Sequence, residues 1–187
     1  MLLLASKSPR RKEILGLLDI PFIIVDSKEV EEVYPANLEP EKVPEFLSRL
    51  KAKAYLPELQ NGDVLITADT VVILEKEIIG KPKGLDDAKI MLGKLSGKTH
   101  KVVTGVTLST TREVKSFSSL TEVTFAPLTE EEINFYVTNF KPLDKAGAYG
   151  IQEWIGAVAV SEIKGSFYNV MGLPVHRLYK ELMPLLI

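Results

Sequence analysis

A chain that opens Met1-Leu2-Leu3-Leu4-Ala5-Ser6-Lys7-Ser8-Pro9-Arg10-Arg11-Lys12 is bound early to a short strand followed directly by a helix. The apolar run suits a strand, Ser8 suits an N-cap and Pro9 the first helical position, and Ile14, Leu15, Leu17 and Leu18 carry the apolar side onward. Arg10, Arg11 and Lys12 then fall in the first turn of that helix. Free N–H groups and the positive end of the helix dipole meet them there, and each cation costs roughly a few tenths of a kcal/mol. An anion bound at that end offsets the cost. A solvated basic turn with its arginine stems laid along the surface is the other reading, and this segment alone does not decide between them.

Bulk properties narrow the classes. The chain has 187 residues, 45% of them hydrophobic, enough for one sizeable α/β domain or two closely joined lobes, and it is read as a single domain over 1–187. Lys+Arg number 23 against Asp+Glu 25, a formal net charge of −2, so no global field attracts a nucleic acid and any phosphate recognition is local. With no cysteine, disulfides, thiolate metal sites and cysteine nucleophiles are excluded, and the composition fits a cytoplasmic protein. The apolar start is too short, and in the wrong order relative to the basic residues, for a secretory signal. No stretch approaches the roughly 20 apolar residues of a membrane-spanning helix, so no membrane partner is expected.

Along the chain, Phe22–Val25 reads as strand and 26–40 as a long, polar, acidic loop of functional length. Val43, Phe46, Leu47, Leu50 and Ala54 give a helical period over Glu41 to about Leu59, with Lys51 and Lys53 in its second half. Val64–Ala68 and Val71–Leu74 read as buried strand split by Asp69-Thr70, with a tight turn at 75–77 and a basic loop at 80–84. A helix carrying Ala88, Met91, Leu92 and Leu95 stops at Gly97. Strands follow over 101–109 and 114–125, then a helix from a Thr129/Glu132 capping box to about Asn139. The remainder reads as irregular chain over 144–156, a strand over 157–163, a turn at 165–169 and a closing helix over 174–185.

Asp69 is the strongest catalytic candidate. A carboxylate within so apolar a strand pair is costly unless paired, hydrogen-bonded or bound to a metal; the alternative is a structural Asp that caps nearby N–H groups. Glu31 and Glu32 in the acidic loop offer a second carboxylate for a hard divalent cation such as Mg²⁺, although acidic loops are commonly just solvated. Lys51, Lys81 and Lys83 complement such a site, since metal, lysines and a helix N-terminus recur in phosphoryl transfer. No Walker A or G-x-G-x-x-G pattern occurs. His100 and His176 lack partners at ligand spacing and are read as packing or capping residues.

Taken together, Ser6-Lys7-Ser8-Pro9-Arg10-Arg11, Ala68-Asp69-Thr70-Val71-Val72, Gly80-Lys81-Pro82, Leu95-Ser96-Gly97, His100 to Val106, Ala146 to Gln152 and Gly172-Leu173-Pro174 resemble the Maf family of nucleoside triphosphate pyrophosphatases from end to end. The resemblance implies an elongated α/β fold similar to inosine triphosphatase, with a central twisted mixed sheet flanked by helices and a cleft between two lobes. It implies metal-dependent hydrolysis between the α- and β-phosphates of a nucleoside triphosphate, with Mg²⁺, Mn²⁺ or Co²⁺ as the divalent cation. By motif position Asp69 would be the catalytic carboxylate, with Glu32 assisting and both holding the metal; Glu31 is the alternative to Glu32. Ser8, Arg11, Lys51 and Lys81 would hold the triphosphate. The family's pyrimidine branch, acting on dTTP and UTP, carries Arg, Thr and Gln at three positions that match Arg10, Thr70 and Gln152 here. A Gln both donates and accepts, which suits the O4 and N3–H edge of uracil or thymine. A homodimer is a family expectation. A 7-methyl-GTP pyrophosphatase and a nucleotide-binding regulator of septum formation are the alternative functions.

Overall fold

In the computed structural model, which describes residues 1–186, Ser8 caps the first helix as its chemistry predicts. Its Oγ accepts from the Arg11 N–H at 3.4 Å. Strand β1 (Leu2–Leu4) leads into helix α1 (Pro9–Gly16), and β2 (Ile23–Ile24) follows. Helix α2 (Val43–Lys53) precedes β3 (Val64–Leu74) and β4 (Glu77–Ile79). Then come α3 (Leu85–Leu95), β5 (Thr99–Ser109), β6 (Val114–Phe125), α4 (Glu130–Phe140), α5 (Trp154–Ala159), β7 (Val160–Lys164), α6 (Phe167–Met171) and α7 (Val175–Leu186).

The sheet runs β2-β1-β3-β5-β6-β7, with β4 added to β3. It is mixed: β1 pairs parallel with β2 and β3, whereas β4 and β7 pair antiparallel with β3 and β6. The described chain forms two compact units, the first from 1–70, 104–119 and 172–186, the second from 71–103 and 120–171. In the first unit the crossovers β1-α1-β2 and β2-α2-β3 run in opposite directions across β1. Right-handed connections therefore place α1 and α2 on opposite faces of the sheet. At Gly105 on β5 an added Cβ would lie 2.2 Å from the Glu45 nitrogen and 2.3 Å from the Pro44 carbonyl carbon, so that strand meets the start of α2 backbone to backbone. In the second unit α3 packs against α4 and the short 3-10 turn at Ala146–Ala148, burying Ala88, Leu92, Leu95, Ile133 and Val137.

Several elements differ from the sequence expectation. The helix expected from Glu41 to Leu59 is α2 alone, because Pro40 and Pro57 sit in separate 3-10 turns on either side. Asp69 and Thr70 do not split their strand; β3 passes through both, since its ladder is set by backbone pairing and tolerates two polar side chains. The strand expected over 157–163 is helical at first, α5 extending to Ala159, and β7 starts only at Val160. Tight folding-back of the chain explains this: an added Cβ at Gly156 would lie 1.7 Å from the Ile151 carbonyl oxygen. The turn expected at 165–169 is largely α6.

Candidate functional site

Helix α1 begins where β1 ends, and Arg11 on its first turn reaches back to the sheet. Its Nε donates to the Gly172 carbonyl at 2.8 Å, Nη1 to the Ala68 carbonyl at 3.0 Å and Nη2 to Thr70 Oγ1 at 3.0 Å. The Thr70 hydroxyl also pairs with that of buried Thr104 at 2.9 Å. Burial lowers the pKa of the Arg11 guanidinium; the Asp69 carboxylate opposes that shift and neighbouring Arg10 adds to it. Gly172, whose carbonyl receives Nε, has φ +122, a conformation that favours glycine. Three N–H groups of Arg11 thus fasten α1, β3 and the 172 turn together.

Asp69 follows the same strand but faces the other way. Thr67 and Asp69 alternate with Thr70 along β3, so they point toward α2. Lys51 on α2 places Nζ 2.5 Å from Asp69 Oδ1 and 3.0 Å from Glu32 Oε1. One ammonium therefore joins two carboxylates, Asp69 being the more enclosed and Glu32 half exposed on its long loop. The Thr67 hydroxyl donates to the Ser48 carbonyl at 2.7 Å, one helical turn before Lys51. A run of hydroxyls backs that docking. Ser48 Oγ donates to the Glu45 carbonyl, leaving Thr107 to donate to Ser48 at 2.8 Å and Ser116 to Thr107 at 2.9 Å. Arg49 Nε completes the series by donating to Ser116 at 3.2 Å.

Of the residues singled out from the sequence, the first unit gathers Ser8 and Arg11 at the start of α1, Thr70 with Arg11, and Glu32, Lys51 and Asp69 around one ammonium. Arg10 lies on the first turn of α1 beside Arg11, half-buried. The side chain of Glu31 is exposed. Lys81 and Gln152 belong to the second unit. Lys81 is exposed in the loop after β4, where the Gly147 N–H anchors the neighbouring Gly80 carbonyl at 3.0 Å. Gln152 is exposed at the tip of a turn in which the Glu153 N–H donates to the Gly150 carbonyl at 3.0 Å. Sequence reasoning missed Thr67, Ser48, Thr104 and Thr107, whose only signal is hydroxyls at buried positions.

His100 packs as expected: Nε2 meets the Tyr149 hydroxyl at 2.7 Å, and the ring stands edge-on to Phe125 and Tyr149. Burial drops its pKa to about 4 and raises that of the Tyr149 phenol. His176 is exposed.

These features define an α/β protein whose cations and carboxylates converge at the carboxyl ends of parallel strands, the place where open α/β sheets gather their ligands. The chain belongs to the Maf-like protein family, which matches residues 1–185. It is 51% identical over 184 residues to a dTTP/UTP pyrophosphatase of Bacteroides thetaiotaomicron, covering 98% of this chain and 95% of that one. It is 54% identical over 183 residues to a dTTP/UTP pyrophosphatase of Porphyromonas gingivalis, covering 97% and 92%. Among solved structures, the Staphylococcus aureus Ham1 protein superposes with a TM-score of 0.50 at 16% identity over 67% of this chain and 71% of that one, a likeness of fold. Among the described residues no helix is long and apolar enough to cross a membrane.

Proposed function

We infer that this protein is a nucleoside triphosphate pyrophosphatase that hydrolyses dTTP and UTP to the nucleoside monophosphate and pyrophosphate. The observation that carries the reading is Lys51 held between Asp69 and Glu32 beside an arginine-bearing helix start, in a chain about half identical to proteins so named. Water supplies the attacking oxygen, the P–O bond of the α,β bridge breaks, and the bridging oxygen leaves with pyrophosphate. Asp69 orients the water and accepts its proton. Lys51 holds that carboxylate in place and meets the negative charge that builds on the phosphate oxygens. Ser8, Arg11 and Lys81 complete the triphosphate's surroundings, Arg11 contributing mainly charge because three of its N–H groups already serve the protein. Arg10, Thr70 and Gln152 select the base, Gln152 by pairing with the O4 and N3–H edge.

The donor set suits a divalent cation. Hard cations of the Mg²⁺ kind accept one or two protein carboxylates and take their other ligands from water and phosphates. Glu32 and Asp69, already sharing one ammonium, are that pair. Mg²⁺, Mn²⁺ or Co²⁺ bound there would neutralise triphosphate charge and polarise the reacting oxygens. A cytoplasmic location is in keeping with that substrate class and with the lack of cysteine.

Pyrophosphate release from dTTP, UTP and 7-methyl-GTP, measured with Mg²⁺ or Mn²⁺, tests the assignment. Turnover of the first two is expected. No release from either would falsify it, and preference for 7-methyl-GTP would move the protein to a different substrate class.

A further inference from the structure

The loop over 26–40 that carries Glu32 is fastened at its start to the C-terminal end of α2, the helix that carries Lys51. The Lys28 N–H donates to the Tyr55 hydroxyl at 2.8 Å, and that hydroxyl donates to the Asp26 carbonyl at 3.0 Å. A backbone N–H can only donate and a carbonyl only accept, so both directions are settled and the phenol's one proton is committed. The Lys28 side chain turns the same way: Nζ donates to the Ala54 carbonyl at 2.8 Å, pairs with Glu58, and lies 5.1 Å from the centre of the Tyr55 ring. Carbonyls at a helix C-terminus lack partners within the helix, and a cation there meets the negative end of its dipole. Tyr55 is a firm point of attachment. Its ring is buried in a cluster with Ala5 and Leu65, against which Val25 and Leu59 pack.

We propose that Tyr55 and Lys28 form a staple that delivers Glu32 to Lys51, which makes both of them positioning residues for the carboxylate pair of Glu32 and Asp69. Glu32 meets Lys51 Nζ at 3.0 Å from an exposed stretch of the loop, 31–37, and the entropy of ordering that stretch opposes the contact. With the staple in place Glu32 is four residues from a fixed point at Lys28. Without it, the nearest fixed point before Glu32 is seven residues back, at Val25, whose N–H donates to the Leu4 carbonyl at 3.0 Å. Loop-closure entropy makes the longer tether about two- to threefold less effective in bringing Glu32 to Lys51. The role rests on the reading of Glu32 as the companion carboxylate of Asp69; neither Tyr55 nor Lys28 acts on substrate directly.

The full-length double variant Tyr55→Phe/Lys28→Met cuts both halves of the staple and keeps the ring and the aliphatic stem. Its kcat/KM for UTP is expected to fall about two- to threefold. In a Glu32→Gln background the same double change should cause no further loss, because the carboxylate it delivers is gone. An equal loss in both backgrounds, the mark of residues that only support the fold, would overturn the proposal, and so would no loss in either. Backbone ¹⁵N relaxation gives a readout free of activity: the Glu32 amide order parameter should be near 0.85 in the parent protein and drop toward about 0.6 in the double variant. Equal order in both proteins overturns the staple. Tyr55→Phe alone removes the bonds to Lys28 and Asp26 and should move both readouts in the same direction by less, so an unchanged order parameter there counts against the staple even if the double variant does not fold. A parent protein that hydrolyses neither dTTP nor UTP overturns the proposed function, while relaxation still decides the staple.

Discussion

Asp69 and His100 both sit in strands of the central sheet, and the protein treats them in opposite ways. Asp69 keeps a cation at 2.5 Å and a partly open face. His100 is sealed between Phe125 and Tyr149, makes one hydrogen bond, and is driven neutral by burial. Each belongs to a motif string that stands out in the sequence. Surroundings, rather than residue type, separate the two: a pre-formed charge pair with an open face is available to a substrate, and an uncharged, enclosed ring is not.

The largest effect should come from removing that difference. Asp69→Asn keeps the shape and loses the carboxylate proposed to accept the water's proton, so kcat for dTTP and UTP is expected to fall about a thousandfold with a thermal midpoint close to the parent's. Pyrophosphate release and a melting curve on the same sample check both halves. Retained turnover would return Asp69 to the structural role it shares the sheet with.

Arg11 lies between the two cases, charged yet largely spent on protein acceptors. Arg11→Met would leave the Gly172 and Ala68 carbonyls and the Thr70 hydroxyl without their donor. A loss of about 3 kcal/mol of stability is expected, read as a lower urea midpoint at unchanged slope. If turnover fell while the urea midpoint held, Arg11 would be a substrate ligand before it is a fastener.

His100 gives the converse test. Its folded pKa is about 4 against an ordinary value of 6.5, so between those values the unfolded chain binds more protons and stability drops as the pH falls. From pH 7 to pH 5 this group should remove about 2 kcal/mol. His100→Gln has no titrating ring and should flatten that part of the slope, leaving pyrophosphate release at pH 7 near the parent value. A variant with the parent's pH slope would show that the acid sensitivity resides in other groups.

Much of this was legible in the residues because it is local. The N-cap of α1, the capping box of α4 and the placement of Asp69 in an apolar strand follow from short-range chemistry, and the structure has all three. What was not legible is tertiary. Nothing near Thr67 in the chain signals that its hydroxyl meets Ser48, nineteen positions earlier. The 154–159 segment is apolar and Gly-containing, equally suited to strand or helix, and a backbone approach at Gly156 that no local pattern encodes accompanies its helical form. Arg11 is expected at the triphosphate from its motif position; that three of its N–H groups also meet acceptors on β3 and the 172 turn is a tertiary fact that no local pattern signals.

The smallest effect tests how the Lys51–Asp69 pair is held. Thr67 and Asp69 lie two residues apart on one face of β3, Ser48 and Lys51 three apart on α2, and the two contacts between them act as successive rungs joining strand to helix. Thr67→Val preserves volume and shape and removes one rung, at about 1 kcal/mol of stability. If that rung sets the height of α2 on the strand, Lys51 is displaced from Asp69 and kcat drops severalfold. In a Lys51→Met background the same substitution should then cost stability alone, because the side chain it aligns is gone. Thr67→Ser keeps the hydroxyl and should restore kcat. Equal losses of kcat in both backgrounds would mean that Thr67 supports the sheet generally, and that the Lys51–Asp69 pair finds its geometry without it.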